Sequence, residues 1–223
     1  MRKLNIKSIC YCFCAIIFIT AGCSNGSASS GGPEKDSVVT IDSQAVSQET
    51  AVTLKDSLKN LAKKDFELVE LSTKGDTLNI VSTSAFLYYP LGKFRSIDDF
   101  SKTFKNLNVT TEHDVTDSSI VLNRASGDGC FIKLFKDSEK NALEIVSGRI
   151  INDQVKLVNG IGTGMNKVDF LKIFFKDVPP NEIEKVKVIK LISGLEGISH
   201  VYVFSPDRLI LLYFDTDYSF NKD

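Results

Sequence analysis

The sequence lacks an excess of charge of either sign, because 27 Lys and Arg residues are balanced by 28 Asp and Glu residues. A nucleic-acid-binding surface needs a basic excess, so this balance argues against such a partner. Only 14 of the 223 residues are Gly and 5 are Pro, which excludes a collagen-like chain. The hydrophobic fraction of 43% excludes a disordered chain. The length of 223 residues fits one ordinary domain or two small ones.

Motifs for catalysis and metal binding are scarce. The two histidines, His113 and His200, form no His-Glu-x-x-His, and the chain has no Gly-x-Ser-x-Gly. Cys130 could pair with a histidine as a nucleophile, which leaves an enzyme as a third hypothesis. However, Cys130 follows a Gly-Asp-Gly turn, a setting more typical of a packed thiol. We therefore expect no enzyme, no metal and no cofactor.

The chain also lacks an apolar run long enough to cross a membrane as a helix. Its longest run, Ile9 to Ile19, is shorter than the roughly 20 residues required. This run follows the basic residues Arg2, Lys3 and Lys7, and it precedes Thr20-Ala21-Gly22-Cys23. A basic start, a short apolar run and small residues are typical of a secretory signal.

These residues resemble the signal of bacterial lipoproteins, although Thr20 stands where that family usually has an aliphatic residue. The resemblance implies that residues 1–22 are removed and that Cys23 carries a diacylglyceryl group and palmitate as the new N-terminus. A plain signal peptide cut after Gly22 is the alternative. Cleavage leaves 201 residues with 24 basic and 28 acidic side chains, a net charge of −4, and only Cys130 as a free thiol.

Residues 23–48 are predicted to be the lipid anchor and a flexible tether, since Ser24 to Gly32 contains no large apolar side chain. In lipoproteins the residues after the cysteine can act as sorting signals. Ser24 lacks the negative charge linked to inner-membrane retention, and Ser24–Ser27 lacks the acidic residues of a surface-export signal. By that resemblance we expect the cell envelope as the location, with the chain on the outer membrane and facing the periplasm.

The rest of the chain contains an internal repeat. Asp99-Phe100-x-Lys102-x-Phe104 aligns with Asp169-Phe170-x-Lys172-x-Phe174, and Ser96 and Asn166 are predicted N-caps of the two helices. We divide the chain into an N-terminal helix and hairpin (49–90), repeat 1 (91–158) and repeat 2 (159–223).

Each repeat is predicted to be a helix followed by three strands with alternating apolar residues. The expected fold class is therefore α+β, with two tandem units of a helix plus a three-stranded antiparallel meander. The units would form two layers, preceded by a short helix and a hairpin. The predicted strands cover residues 119–122, 131–135 and 143–146 in repeat 1, and 186–192, 201–204 and 209–214 in repeat 2.

Gly162-Thr163-Gly164-Met165, a helix and Val201-Tyr202-Val203-Phe204 together resemble the small outer-membrane lipoproteins of the barrel-assembly machinery. They also resemble the β-lactamase inhibitor proteins, which are built from two such units. The first copy departs from this pattern, with Gly92-Lys93-Phe94-Arg95 in place of the Gly-Met turn. The resemblance implies a non-enzymatic envelope protein that binds another protein, and it transfers neither family's partner. The candidate contact residues are Met165, Tyr202, Phe204 and Tyr213.

One strand leaves two functions open. Leu209 to Phe214 is apolar on both predicted faces, so it is either covered on both sides or exposed as a binding face. The alternative to a protein-binding module is a periplasmic carrier, which would hold a lipid or peptide in a hydrophobic pocket between two sheets.

Overall fold

A computed structural model describes residues 54 and 56–220, and nine strands lie in this part of the chain. Every strand belongs to the same sheet, in which strand order does not follow chain order. The strands are β1 (Leu68–Lys74), β2 (Thr77–Ser82), β3 (Asn108–His113), β4 (Val121–Gly127), β5 (Cys130–Asp137), β6 (Ala142–Ile150), β7 (Val188–Ser193), β8 (Ile198–Phe204) and β9 (Leu209–Thr216). Their order across the sheet is β1-β2-β7-β8-β9-β6-β5-β4-β3.

The helices are short, and two of them begin at the predicted N-caps. They are α1 (56–61), α2 (Ile97–Thr103), α3 (Lys167–Phe174) and α4 (Pro180–Ile183), with a 3₁₀ turn at Ala85–Leu87. The Ser96 hydroxyl accepts a hydrogen bond from the Asp99 N–H at 3.2 Å, and the Asn166 side chain accepts one from the Val168 N–H at 2.9 Å. Both predicted N-caps are therefore confirmed.

Two pairings join the parts of the chain into one sheet. The β1–β2 hairpin turns at Gly75, whose φ of +62° suits a residue without a side chain, and β2 then pairs in parallel with β7. On the other side, β6 pairs antiparallel with β9 from Ser147↔Asp215 to Ile150↔Leu212. Because of these pairings, the sheet is mixed and continuous over all nine strands.

The predicted fold class is wrong, because the chain does not form two tandem helix-and-meander units in two layers. The β6–β9 pairing merges the expected meanders into one sheet, and the first half contributes a further strand, β3. Nine strands span about 38 Å across the sheet, whereas helices of seven or eight residues are only about 10–12 Å long. Each of these helices covers only part of this sheet, and they do not organise separate units with their own meanders.

One face of the sheet carries the core. Alternate strand residues are buried there, including Leu191 on β7, Tyr202 on β8 and Phe214 on β9. Phe100 of α2 and Phe170 of α3 join the same buried cluster, as do apolar residues of α1 and α4. All four helices therefore pack on this core face, and we call the opposite side of the sheet the back face.

A buried lysine fastens the start of α3 to two other segments. The Nζ atom of Lys167 lies 3.3 Å from the Ile183 carbonyl oxygen, 3.5 Å from that of Glu184 and 3.1 Å from Oδ1 of Asp207. The Lys167 N–H also donates to the Asp207 carbonyl oxygen at 2.8 Å. Lys167 thus ties α3 to the end of α4 and to the β8–β9 turn.

Replacing this lysine should destabilise the fold. We expect Lys167→Ala to lower the free energy of unfolding by about 1–3 kcal/mol, because buried carbonyl oxygens lose their donor. Asp207 is 61% exposed and can be solvated, so its own loss is small. Urea unfolding measures the change, with Lys172→Ala at an exposed position of α3 as the control. Equal stability of the two variants would contradict this role.

Candidate interaction surface

The back face is built from rows of side chains that cross all nine strands. Cross-strand partners share a face, so the pairing registers identify each row. One row, which we call the basic row, runs through Ser72, Asn79, Lys190, Val201, Tyr213, Arg149, Phe131, Ser126 and Asn108.

The basic row has two cations and no carboxylate. Arg149 is exposed, Lys190 is half-buried and the Tyr213 side chain between them is 38% exposed. Within the described part of the chain, neither Lys190 nor Arg149 has an ion-pair partner. Arg149 and Tyr213 of this row are open to solvent, whereas Val201, between Lys190 and Tyr213, is only 5% exposed.

A second row adds apolar surface beside the basic row. Val188, Val203 and Leu211 are cross-strand neighbours on the back face, and each is half-buried. Thr77 continues this row toward the hairpin. We call these four residues the apolar row. No described helix covers it, since the helices pack on the core face.

On the other side of the basic row, charged side chains are engaged with neighbours. Lys133 is fully buried, and its Nζ atom lies 3.3 Å from Oε2 of Glu112. The Arg124 guanidinium lies 4.5 Å from the centre of the Phe131 ring, a cation–π contact. These contacts stabilise the β3 side of the sheet, whereas Lys190 and Arg149 remain available to a partner.

The predicted contact residues occupy three different settings. Tyr213 lies on the back face, whereas Tyr202 and Phe204 are only 0% and 2% exposed and pack against the Phe170 ring. Tyr202 and Phe204 therefore cannot contact a partner in this fold. Met165 is half-buried, and its carbonyl oxygen accepts from the Leu209 N–H at 2.9 Å. Cys23 lies outside the described residues.

The sequence left open whether the run from Leu209 to Phe214, now in β9, is covered on both faces, and the two faces differ in exposure. Leu209, Leu212 and Phe214 are buried in the core, whereas Ile210 and Tyr213 are exposed. The run from 209 to 214 is thus covered on one side only.

Sequence reasoning did not find Lys190 or Arg149, because neither belongs to a motif. The alternation of buried and accessible residues along β7 points to Lys190, but the sheet order is needed to place Arg149 in the same row.

A polar cluster at one end of the sheet is a second candidate site. The Lys140 ammonium lies 2.8 Å from Oε1 of Glu144, and the Tyr218 hydroxyl donates to Oε2 of the same carboxylate. Burial, followed by the contact with Glu144, raises the pKa of Tyr218.

The enclosed cavity beside this cluster has a volume of about 20 Å³, enough for one water molecule. A larger depression of about 550 Å³ beside it, at Ser193–Ile198, is open to solvent.

His200 lines this cavity and is kept neutral. Its Nε2 atom lies 3.1 Å from the Leu87 carbonyl oxygen, and its Nδ1 atom lies 3.3 Å from the Tyr202 hydroxyl. A carbonyl can only accept, so Nε2 carries the proton and Nδ1 accepts from Tyr202. Burial lowers the pKa of His200 to about 3.

The described residues bring no catalytic pair to Cys130. Its thiol is buried, and the Sγ atom accepts from the Ile151 N–H at 3.3 Å. His113 contacts the Ser118 carbonyl oxygen instead, and His200 contacts Leu87 and Tyr202. Groups of three or more His, Cys, Asp or Glu that could hold a metal do not occur in the described part. None of its helices is long and apolar enough to cross a membrane.

Comparison of the chain with protein-family models, with curated proteins and with solved structures finds no match. The resemblance to lipoprotein signals rests on residues 1–23, which lie outside the described part of the chain. The resemblance to the barrel-assembly lipoproteins likewise remains a prediction. The proposed function therefore rests on the exposed side chains of the back face.

His200 should make the fold sensitive to acid. Below pH 6.5 the unfolded chain takes up a proton on this residue, whereas the folded chain stays neutral down to about pH 3. The free energy of unfolding therefore falls as the pH drops between these values. At pH 4.5 the loss from this group is about 2–3 kcal/mol.

Urea unfolding at pH 7.5 and pH 4.5 measures this effect. Replacing His200 by Gln removes the titrating group, so His200→Gln should lose about 2–3 kcal/mol less than the wild type between the two pH values. His113→Gln, at an exposed position, is the control for loss of a histidine elsewhere. If His200→Gln keeps the full acid sensitivity of the wild type, another group causes it.

Proposed function

We propose that this chain is a lipid-anchored protein of the bacterial cell envelope that binds another protein through its back face. It acts as a non-enzymatic binding or assembly module rather than as a catalyst. The observation that carries this proposal is the exposed strip around Tyr213, on a sheet face that no described helix covers.

Membrane attachment is supported by the order of residues at the start of the chain. A basic segment, a short apolar run and Thr20-Ala21-Gly22-Cys23 occur together in that order. Acyl chains on Cys23 would hold the protein at the membrane, because each buried CH₂ contributes about 0.8 kcal/mol. Ser24 and the absence of nearby acidic residues favour the outer membrane, with the domain in the periplasm.

Protein binding is supported by the make-up of the back face. Tyr213 and Arg149 are of the side-chain types that are favoured at interfaces, and they lie beside the partly exposed apolar row. A sheet face presents them on a rigid framework, so a partner need not order a loop when it binds.

A small-ligand carrier is less well supported. The carrier hypothesis needs a hydrophobic pocket between two sheets, but the described strands form one sheet. The enclosed cavity beside His200 holds about 20 Å³, and another beneath Tyr89 holds about 10 Å³. Neither could hold a lipid or a peptide.

Cleavage after Gly22 leaves two cysteines in the chain, Cys23 and Cys130, and these allow a test of lipidation. We expect the full-length chain to incorporate a labelled fatty acid and to fractionate with membranes. Cys23→Ser should abolish both properties, because Cys23 is the predicted attachment site, whereas Cys130→Ser should retain both. A wild-type chain that is cleaved after Gly22 but carries no label would instead indicate a plain signal peptide.

Partner binding can be tested by recovering the tagged chain from membranes with its associated proteins. Tyr213→Glu should lower recovery of the partner about tenfold or more, since it places a charge at the centre of the exposed strip. Leu195→Glu changes an exposed residue in the β7–β8 turn and should leave recovery unchanged. If the wild type recovers no protein, or if both variants behave alike, the back face is not the binding surface.

A further inference from the structure

We propose that the basic row binds an acidic segment of the partner protein, which lies across the strands with carboxylates beside Lys190 and Arg149. This inference rests on the proposed function, because it names the chemistry of the partner that the back face binds.

The two cations define the ends of the site. Lys190 is on β7 and Arg149 is on β6, with β8 and β9 between them, so three strand spacings separate them by about 14 Å. Neither cation has an ion pair among the described residues, and their row has no carboxylate. On a chain with more acidic than basic residues, this strip attracts an anionic segment selectively.

The surface between the cations is apolar. Tyr213 is exposed at this point, its cross-strand neighbour Val201 is only 5% exposed, and the apolar row lies alongside them. A complementary segment would therefore carry an apolar side chain between two acidic ones. In an extended segment, carboxylates four residues apart are about 13 Å apart, which matches the separation of the cations.

The same observations favour a protein segment over a membrane surface. Recognition of anionic lipids usually relies on clusters of four to eight basic residues, whereas the basic row offers two. The net charge of −4 after signal cleavage also opposes attraction to an anionic bilayer.

Photo-cross-linking in cells tests the inference on the full-length chain. A photoreactive phenylalanine analogue replaces Tyr213, and the same analogue in place of the exposed Leu195 is the control. We expect an adduct at position 213 alone, on a partner segment with two Asp or Glu residues about four positions apart. Lys190→Glu combined with Arg149→Glu should reduce the adduct about tenfold.

A matched charge control accompanies this variant. Lys105→Glu combined with Lys185→Glu makes the same change in net charge at exposed positions, and it should leave the adduct intact. An adduct on a segment without acidic residues, on lipid or on this chain's own N-terminal residues would overturn the inference. An adduct on a protein segment that lacks acidic residues would still be consistent with the proposed function. No adduct at position 213 would contradict both proposals.

Discussion

The pairing of β6 with β9 is the contact on which the rest of the architecture depends. It covers four residue pairs, from Ser147↔Asp215 to Ile150↔Leu212. Gly148 makes this approach possible, because a Cβ atom there would lie 3.0 Å from Cδ2 of Phe214 and 3.1 Å from the Phe131 carbonyl oxygen. This one edge-to-edge contact turns two groups of strands into one sheet. A residue row can therefore extend from β1 to β3 without interruption.

A single sheet with all four described helices on one side must stabilise its other face in water. The β3 side of that face does so with the Lys133–Glu112 ion pair and the contact between Arg124 and the Phe131 ring. Nearer the centre, the half-buried Val188, Val203 and Leu211 lie beside the basic row, whose cations have no ion pair among the described residues. This part of the face therefore keeps apolar side chains partly exposed to water.

Local chemistry made several elements predictable from the sequence. The hairpin at Gly75 and the caps at Ser96 and Asn166 follow from short-range rules, and the structure confirms them. Strand β3 escaped prediction because Val109 is its only apolar residue, as befits an edge strand. The single sheet escaped prediction because β6–β9 and β2–β7 join residues far apart in the chain. Periodicity shows that a strand has two faces, but it does not identify its neighbours.

The same limit explains which contact residues the sequence could locate. Alternate residues of a strand point to opposite faces of the sheet, so an aromatic residue is buried or exposed according to the face on which it lies. Which face is buried depends on where the helices pack. Tyr202 falls on the core side and Tyr213 on the back face, although both lie in apolar strands. Without the sheet order, the sequence supplies the candidates but not the distinction between them.

The alternation of side chains between the two faces also separates core residues from back-face residues within each strand. On β9, Leu212 and Phe214 are buried in the core, whereas Tyr213 between them is exposed in the basic row. Lys190 on β7 likewise lies between the buried residues Ile189 and Leu191. Because neighbouring residues serve opposite faces, the charge pattern of the back face can change without disturbing the core. Substitutions at alternate positions of the central strands can therefore change the back face while the core stays the same.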